Sequence, residues 1–203
     1  MDVHIIIVLI TCAISIIAFS SSALMLRGQL NAWAVVKHKE YYRIISYGFL
    51  HGDWMHLIIN MFVLYSFGSA TIRSFNGVFE GNNELRFMLL YFSAIPLSSL
   101  YSIYKYRNNP NYNAVGASGA VSAIVYTTIF LKPYNLLYFW TIPIPGIVFG
   151  VAYLVYSWLM AKRNVDNIGH DAHFWGAVYG FVFPCLYKPA LAIDFFKELL
   201  FIN

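Results

Sequence analysis

Gly116-Ala117-Ser118-Gly119 follows a polar segment and opens an apolar run. A serine at that place falls in the first turn of a helix, where backbone N–H groups have no helical acceptor. Those N–H groups and the positive end of the helix dipole suit an oxyanion forming beside the hydroxyl. The same tetrapeptide also reads as a helix cap followed by a small-residue packing surface. A serine hydroxyl attacks well only when a base removes its proton. Ala172-His173-Phe174-Trp175-Gly176-Ala177-Val178-Tyr179-Gly180 supplies a candidate base. His173, Gly176, Ala177 and Gly180 share one helical face by their three- and four-residue spacing. The small residues let a neighbouring helix lie close, which would bring a neutral imidazole to Ser118. An ionisable residue inside an apolar span is a functional candidate by default; the competing reading is a histidine at a helix end near the interface.

His51-Gly52-Asp53-Trp54-Met55-His56-Leu57-Ile58-Ile59-Asn60 is the third constellation. Asp53 is placed to cap a helix. His56 and Asn60 then share a face and could donate to a tetrahedral oxyanion, or join helices by hydrogen bonds. No carboxylate takes a third catalytic place: Asp171 is two residues from His173, on another side of its helix, and suits a cap. His170, three residues before His173, is assigned with Ile168 to a loop over the site. The helical zinc pattern His-Glu-x2-His is missing, so neither a metal nor another cofactor is expected. Cys12 and Cys185 lie in apolar runs as small buried hydrophobes and form no disulfide framework.

These residues need elements to hold them, and the composition names the solvent of those elements. Sixty per cent of residues are apolar (60%) and only 11% are charged, and mean hydropathy is +0.62. A soluble domain carries about 25% charged residues, so this chain belongs in lipid. Its 203 residues make room for a single membrane domain over 1–203. The net charge of +4 is scattered, and no basic run points to nucleic acid. A spanning helix needs roughly 20 apolar residues. Six stretches approach that length: Val3 to Met25, Trp54 to Ile72, Leu85 to Tyr104, Ala117 to Leu131, Leu137 to Ala161 and Asp171 to Tyr187. Only helices satisfy their own backbone in lipid, so the expected fold is an all-α bundle of six transmembrane helices. The first apolar run follows Met1-Asp2-Val3-His4, which has no basic residue, and is read as a retained helix. Arg27 to Gly52, rich in Trp, Tyr, His and Lys, is expected as a long interfacial first loop. Tyr106 to Tyr112 holds the turn signal Asn-Asn-Pro, and Lys162 to Asn167 is a short polar bend. The fourth and sixth stretches carry Gly, Ser or His where a lipid-facing helix would carry Leu or Val, so they belong in the middle.

The ordered trio — His-x4-His-x3-Asn, Gly-x-Ser-Gly and Ala-His-x2-Gly-x3-Gly — resembles a rhomboid intramembrane serine protease over nearly the whole chain. The resemblance implies a six-helix core, Ser118 as nucleophile and His173 as general base, with no third member. It implies an oxyanion site from His56, Asn60 and the backbone N–H of Ser118, with Gly116 beside it. His51, Gly119, Gly176, Gly180 and Tyr42-Arg43 match structural positions, the last bracing the first loop. Transmembrane proteins are the implied substrates and the lipid bilayer the implied setting, as in a bacterial inner membrane.

There are departures. Tyr42 replaces the more usual Trp. Ile72 stands where many relatives place a Glu that tethers the second helix. Ser122 stands where relatives often place a Tyr or Phe beneath the histidine, with Tyr126 one turn deeper as a partial replacement. A non-catalytic rhomboid-like protein that binds membrane clients, and a small transporter or channel, are the competing accounts. The resemblance also implies a cytoplasmic N-terminus, whereas the Lys and Arg count puts more positive charge at the site end of the bundle.

Overall fold

The computed structural model describes residues 2–139, 141–163 and 169–201. In chain order the elements begin with α1 (Val3–Phe19), α2 (Ser22–Gly28), β1 (Leu30–Asn31), α3 (Ala32–Lys37) and α4 (Arg43–Ser46). After a 3-10 turn at Tyr47–Phe49 come α5 (Trp54–Asn76), α6 (Asn83–Tyr106), β2 (Asn113–Ala114) and α7 (Ser118–Leu131). A hairpin of β3 (Leu136–Phe139) and β4 (Ile142–Pro145) leads to α8 (Gly146–Arg163), α9 (His170–Tyr187) and α10 (Leu191–Leu199). The protein is predominantly helical.

α5 and α6, with 23 and 24 residues, are each long and apolar enough to cross a bilayer. At 1.5 Å per residue they reach roughly 35 Å, against a hydrocarbon core of about 30 Å. α9 passes the same test only together with α10, from which it is bent by 120°. α1 and α7 are shorter apolar helices. α7 has 14 residues, and every one from Gly119 to Leu131 is buried. A helix too short to span roughly 30 Å is stable at membrane depth when protein, not lipid, covers its ends. α5, α6, α8 and α9 all pack on α7 and provide that cover.

The shortness of α7 recesses its first residue. Gly119 lies against Ser98 of α6, which is eight residues before the end of that helix at Tyr106. At 1.5 Å per residue Ser118 therefore sits about 12 Å below the end of α6. α7 and α9 run parallel and touch through backbone. A Cβ on Gly176 would lie 2.1 Å from the Gly119 carbonyl oxygen, and one on Gly180 would lie 2.0 Å from that of Ala123. Thr127 Oγ1 adds a hydrogen bond to the Gly180 carbonyl at 2.7 Å.

Four sequence expectations need correction. The fold is not purely α: β1 pairs antiparallel with β2, and β3 with β4. The first apolar run is broken at Ser20 and Ser21, and Ser21 caps the separate helix α2. The fifth stretch becomes helical at Gly146 rather than Leu137, because Pro143 and Pro145 favour extended backbone. α10 was not anticipated; its Leu191 and Phe195 are buried while Ile193 and Phe196 face outward. Ile168, residues 164–167 of the polar bend and Trp140 lie outside the described residues.

Candidate active site

Ser118 opens α7, so its N–H belongs to the first turn, which has no helical acceptor. The chain reaches it through Gly116, whose φ of +126° is a conformation that favours glycine. A Cβ there would lie 2.7 Å and 2.8 Å from Cε1 and Nε2 of His56 and 3.6 Å from Ser118 Oγ. The edge of the His56 ring and the Ser118 hydroxyl thus converge over the Gly116 α-carbon. The Gly116 N–H itself is taken by the Tyr47 carbonyl at 3.0 Å. This glycine therefore contributes room rather than an N–H donor.

His56 and Asn60 lie on the face of α5 that looks at Ser118. Asp53 caps the helix by accepting from the His56 N–H at 2.8 Å. Asn60 is buried and donates from Nδ2 to the His56 carbonyl at 2.9 Å. A primary amide has two N–H bonds, so this contact orients the group without using both donors.

His51 is fully buried in the loop before α5 and joins three elements. Ser15 Oγ of α1 donates to the Phe49 carbonyl at 2.8 Å and lies 2.9 Å from His51 Nδ1. The hydroxyl proton is committed to the carbonyl, which can only accept. His51 Nδ1–H must therefore donate to Ser15, which leaves Nε2 to accept from the Ala117 N–H at 3.5 Å. The imidazole works only when neutral, and burial pushes its pKa down to about 3. Through it the start of α7 is held against α1 and the start of α5.

Arg43 acts further out. Its guanidinium donates to the carbonyls of Leu26 and Gln29, each at 2.8 Å, and pairs with Glu40. That hydrogen bond holds the Glu40 carboxyl below the usual carboxylate range. The segment is tied to the approach to Ser118 by the β1–β2 pairing of Leu30 with Ala114 and Asn31 with Asn113.

His173 lies one turn into α9 and borders a cavity of about 740 Å³. Ser118, His56 and Asn60 line the same cavity. One wall is Met55, Ile59 and Val63 of α5, and the opposite wall is Phe149 and Tyr153 of α8. An imidazole and a hydroxyl on the wall of a largely apolar recess, with His56 and Asn60 beside them, are the parts of nucleophilic acyl transfer. Among the described residues no three His, Cys, Asp or Glu side chains gather as a metal site would need.

The surroundings of His173 differ from expectation. Tyr153 of α8 lies beside its ring, with centroids 6.2 Å apart and planes at 26°. Tyr126 instead donates its hydroxyl to the Gly150 carbonyl and ties α7 to α8. His170 is no loop residue: it opens α9, is buried and meets the His173 ring edge-on at 5.8 Å. Asp171 does not cap the helix but pairs with Lys105 of α6 at 2.8 Å. The tether expected to be missing at Ile72 is supplied one residue earlier, where Thr71 Oγ1 lies 2.7 Å from Thr128 Oγ1 of α7. Sequence reasoning missed Tyr153 because no local pattern says which face of a neighbouring helix meets a given turn of α9.

Comparisons with known proteins agree with this architecture. A profile of the Rhomboid domain matches residues 38–189. RHOMBOID-like protein 12, mitochondrial, of Arabidopsis thaliana is 31% identical over 143 residues, covering 66% of this chain and 43% of that protein. RHOMBOID-like protein 4 of the same organism is 32% identical over 171 residues, covering 80% of this chain and 39% of that protein. The chain therefore spans less than half the length of these curated relatives.

Proposed function

Because the chain belongs to the rhomboid family, we propose that it is an intramembrane serine endopeptidase that cleaves transmembrane proteins near the membrane surface with a Ser118–His173 dyad. In this reading six helices, α1, α5, α6, α7, α8 and α9, form the membrane-embedded core, with the short α7 enclosed by the others rather than spanning the full hydrocarbon thickness. The cavity carries the reading, because Ser118, His173, His56 and Asn60 all border it, with Ser118 about 12 Å below the end of α6.

His173 accepts the Ser118 proton as Oγ attacks the scissile carbonyl carbon. The carbonyl oxygen becomes an oxyanion beside the Ser118 N–H and the side chains of His56 and Asn60. The imidazolium then protonates the leaving amine, and the acyl-enzyme forms. Water attacks that ester with His173 again as base, which releases the new carboxyl end and restores the serine. Helical backbone protects its peptide bonds with its own hydrogen bonds, so substrates carry a segment that unwinds easily. Such a segment reaches the site between α5 and α8, where apolar side chains line the cavity. The protein works in a bacterial inner membrane in this reading.

A fluorophosphonate probe in detergent tests the dyad. Wild type labels at Ser118, while Ser118→Ala and His173→Ala lose labelling and cleavage of a model transmembrane substrate by at least about a thousandfold. An unlabelled wild type, or a Ser118→Ala variant that cleaves at the wild-type rate, returns the protein to client binding without catalysis.

A further inference from the structure

A histidine that takes and returns a proton within one turnover must be held at one angle. On α7 the residue one turn after Ser118 is Ser122, too small to hold a ring. The neighbouring helix supplies what Ser122 lacks. Tyr153 of α8 lies beside the His173 imidazole at 6.2 Å and 26°, within the range of offset aromatic pairs. One turn on, Tyr156 meets His170 edge-on at 5.6 Å, and His170 in turn meets His173 at 5.8 Å. Two tyrosines three residues apart on α8 therefore clasp two histidines three residues apart on α9, which is what helical spacing allows. Phe149 stacks on Tyr153 at 5.8 Å and fixes the tyrosine itself.

Resting on the protease reading above, we infer that Tyr153 is the positioning residue for His173 and fills the seat beside the imidazole that Ser122 leaves empty. The same ring is part of the cavity wall opposite α5. The base is thus seated on the surface that a substrate segment brushes as it enters.

The test measures probe labelling and substrate cleavage by the full chain in detergent, with thermal melting to check folding. Misplacing a base by about 1 Å can cost on the order of a hundredfold. Tyr153→Ala lowers the labelling rate and kcat by between about ten- and a hundredfold, with KM close to wild type. Tyr153→Phe keeps the ring and stays within about threefold of wild type. Ser122→Tyr combined with Tyr153→Ala, which moves the ring from α8 to α7, regains most of the rate. If Tyr153→Ala does not fold, Tyr153→Leu takes its place, since it keeps bulk without a ring face. A Tyr153→Ala or Tyr153→Leu protein that labels as fast as wild type overturns the inference and leaves the dyad standing. A Tyr153→Phe protein as slow as Tyr153→Ala also overturns it, because the hydroxyl and not the ring then matters. A wild type that never labels removes the protease reading instead.

Discussion

Two sides of α7 are built differently. Toward α9 the contact is backbone on backbone, with Gly119 facing Gly176 and Ala123 facing Gly180. Toward α5 and α8 the site end is parted by a cavity of about 740 Å³, lined by Met55, Ile59 and Val63 on one side and Phe149 and Tyr153 on the other. Ser118 and His173 belong to the closed seam and face the open side. Lipid gives helices no hydrophobic reason to associate, so close packing of small residues and interhelical hydrogen bonds must hold the seam. Chemistry that needs fixed angles sits on the part that cannot spread, and access is left to the part that can.

The seam is the first place to break that contrast. A side chain at position 180 would meet the Ala123 carbonyl oxygen at 2.0 Å and its α-carbon at 2.5 Å, and backbone has no rotamer by which to move away. Gly180→Val is expected to lose about 3 kcal/mol or more, seen as little monodisperse protein in detergent and a collapsed melting transition. Gly180→Ala already demands that the helices separate and melts lower than wild type. An unaltered melting curve for Gly180→Ala would remove the seam as the rigid half of the comparison.

That seam could be anticipated in the sequence, because Gly176 and Gly180 recur at helical spacing and a stripe of small residues has one physical meaning in lipid. The local motifs around Ser118, His56 and Asn60 were legible for a similar reason: each is set by spacing within one helix. What the sequence hid depends on distant pairs. Tyr153 and His173 are 20 residues apart on different helices, and only packing brings their rings together. Asp171 has a capping position by pattern, yet Lys105 from α6 claims its carboxylate. The break at Ser20 and Ser21 and the hairpin before α8 lie in stretches read by their total apolar content, which does not see where backbone direction changes, although the serines and Pro143 and Pro145 mark both places.

His51 offers a smaller and pH-dependent break, at the joint where the seam meets α5. Its pKa of about 3 in the folded protein compares with about 6.5 in the unfolded chain. Above pH 6.5 both states are neutral and the group does not bias folding. As pH falls from about 6.5 toward 3, the unfolded state gains a proton that the folded state refuses, so stability falls with acid. At pH 5 the loss amounts to roughly 2 kcal/mol. His51→Gln keeps an acceptor for the Ala117 N–H and removes the titration. Its melting temperature is expected to drop less than that of wild type between pH 7 and pH 5. Equal drops in the two proteins would show that His51 is not held neutral by its partners.

The smallest expected effect tests how α5 can be parted from α7 at one end and fixed at the other. Below the cavity, Thr71 and Thr128 face each other at 2.7 Å. Thr71 Oγ1 also reaches the Phe67 carbonyl at 2.8 Å, and Thr128 Oγ1 the Ile124 carbonyl at 3.1 Å. Two hydroxyl protons cannot serve all three contacts at once, so the bridge between the helices shares its protons with each helix's own backbone. Interhelical hydrogen bonds of this kind contribute about 0.6 kcal/mol on average. Thr71→Val keeps the shape and removes the hydroxyl, and a melting temperature slightly below wild type is expected with probe labelling at Ser118 unchanged. If Thr71→Val instead changes labelling as strongly as a substitution beside His173, α5 moves as one rigid rod, and the division between a fixed deep end and an open site end fails.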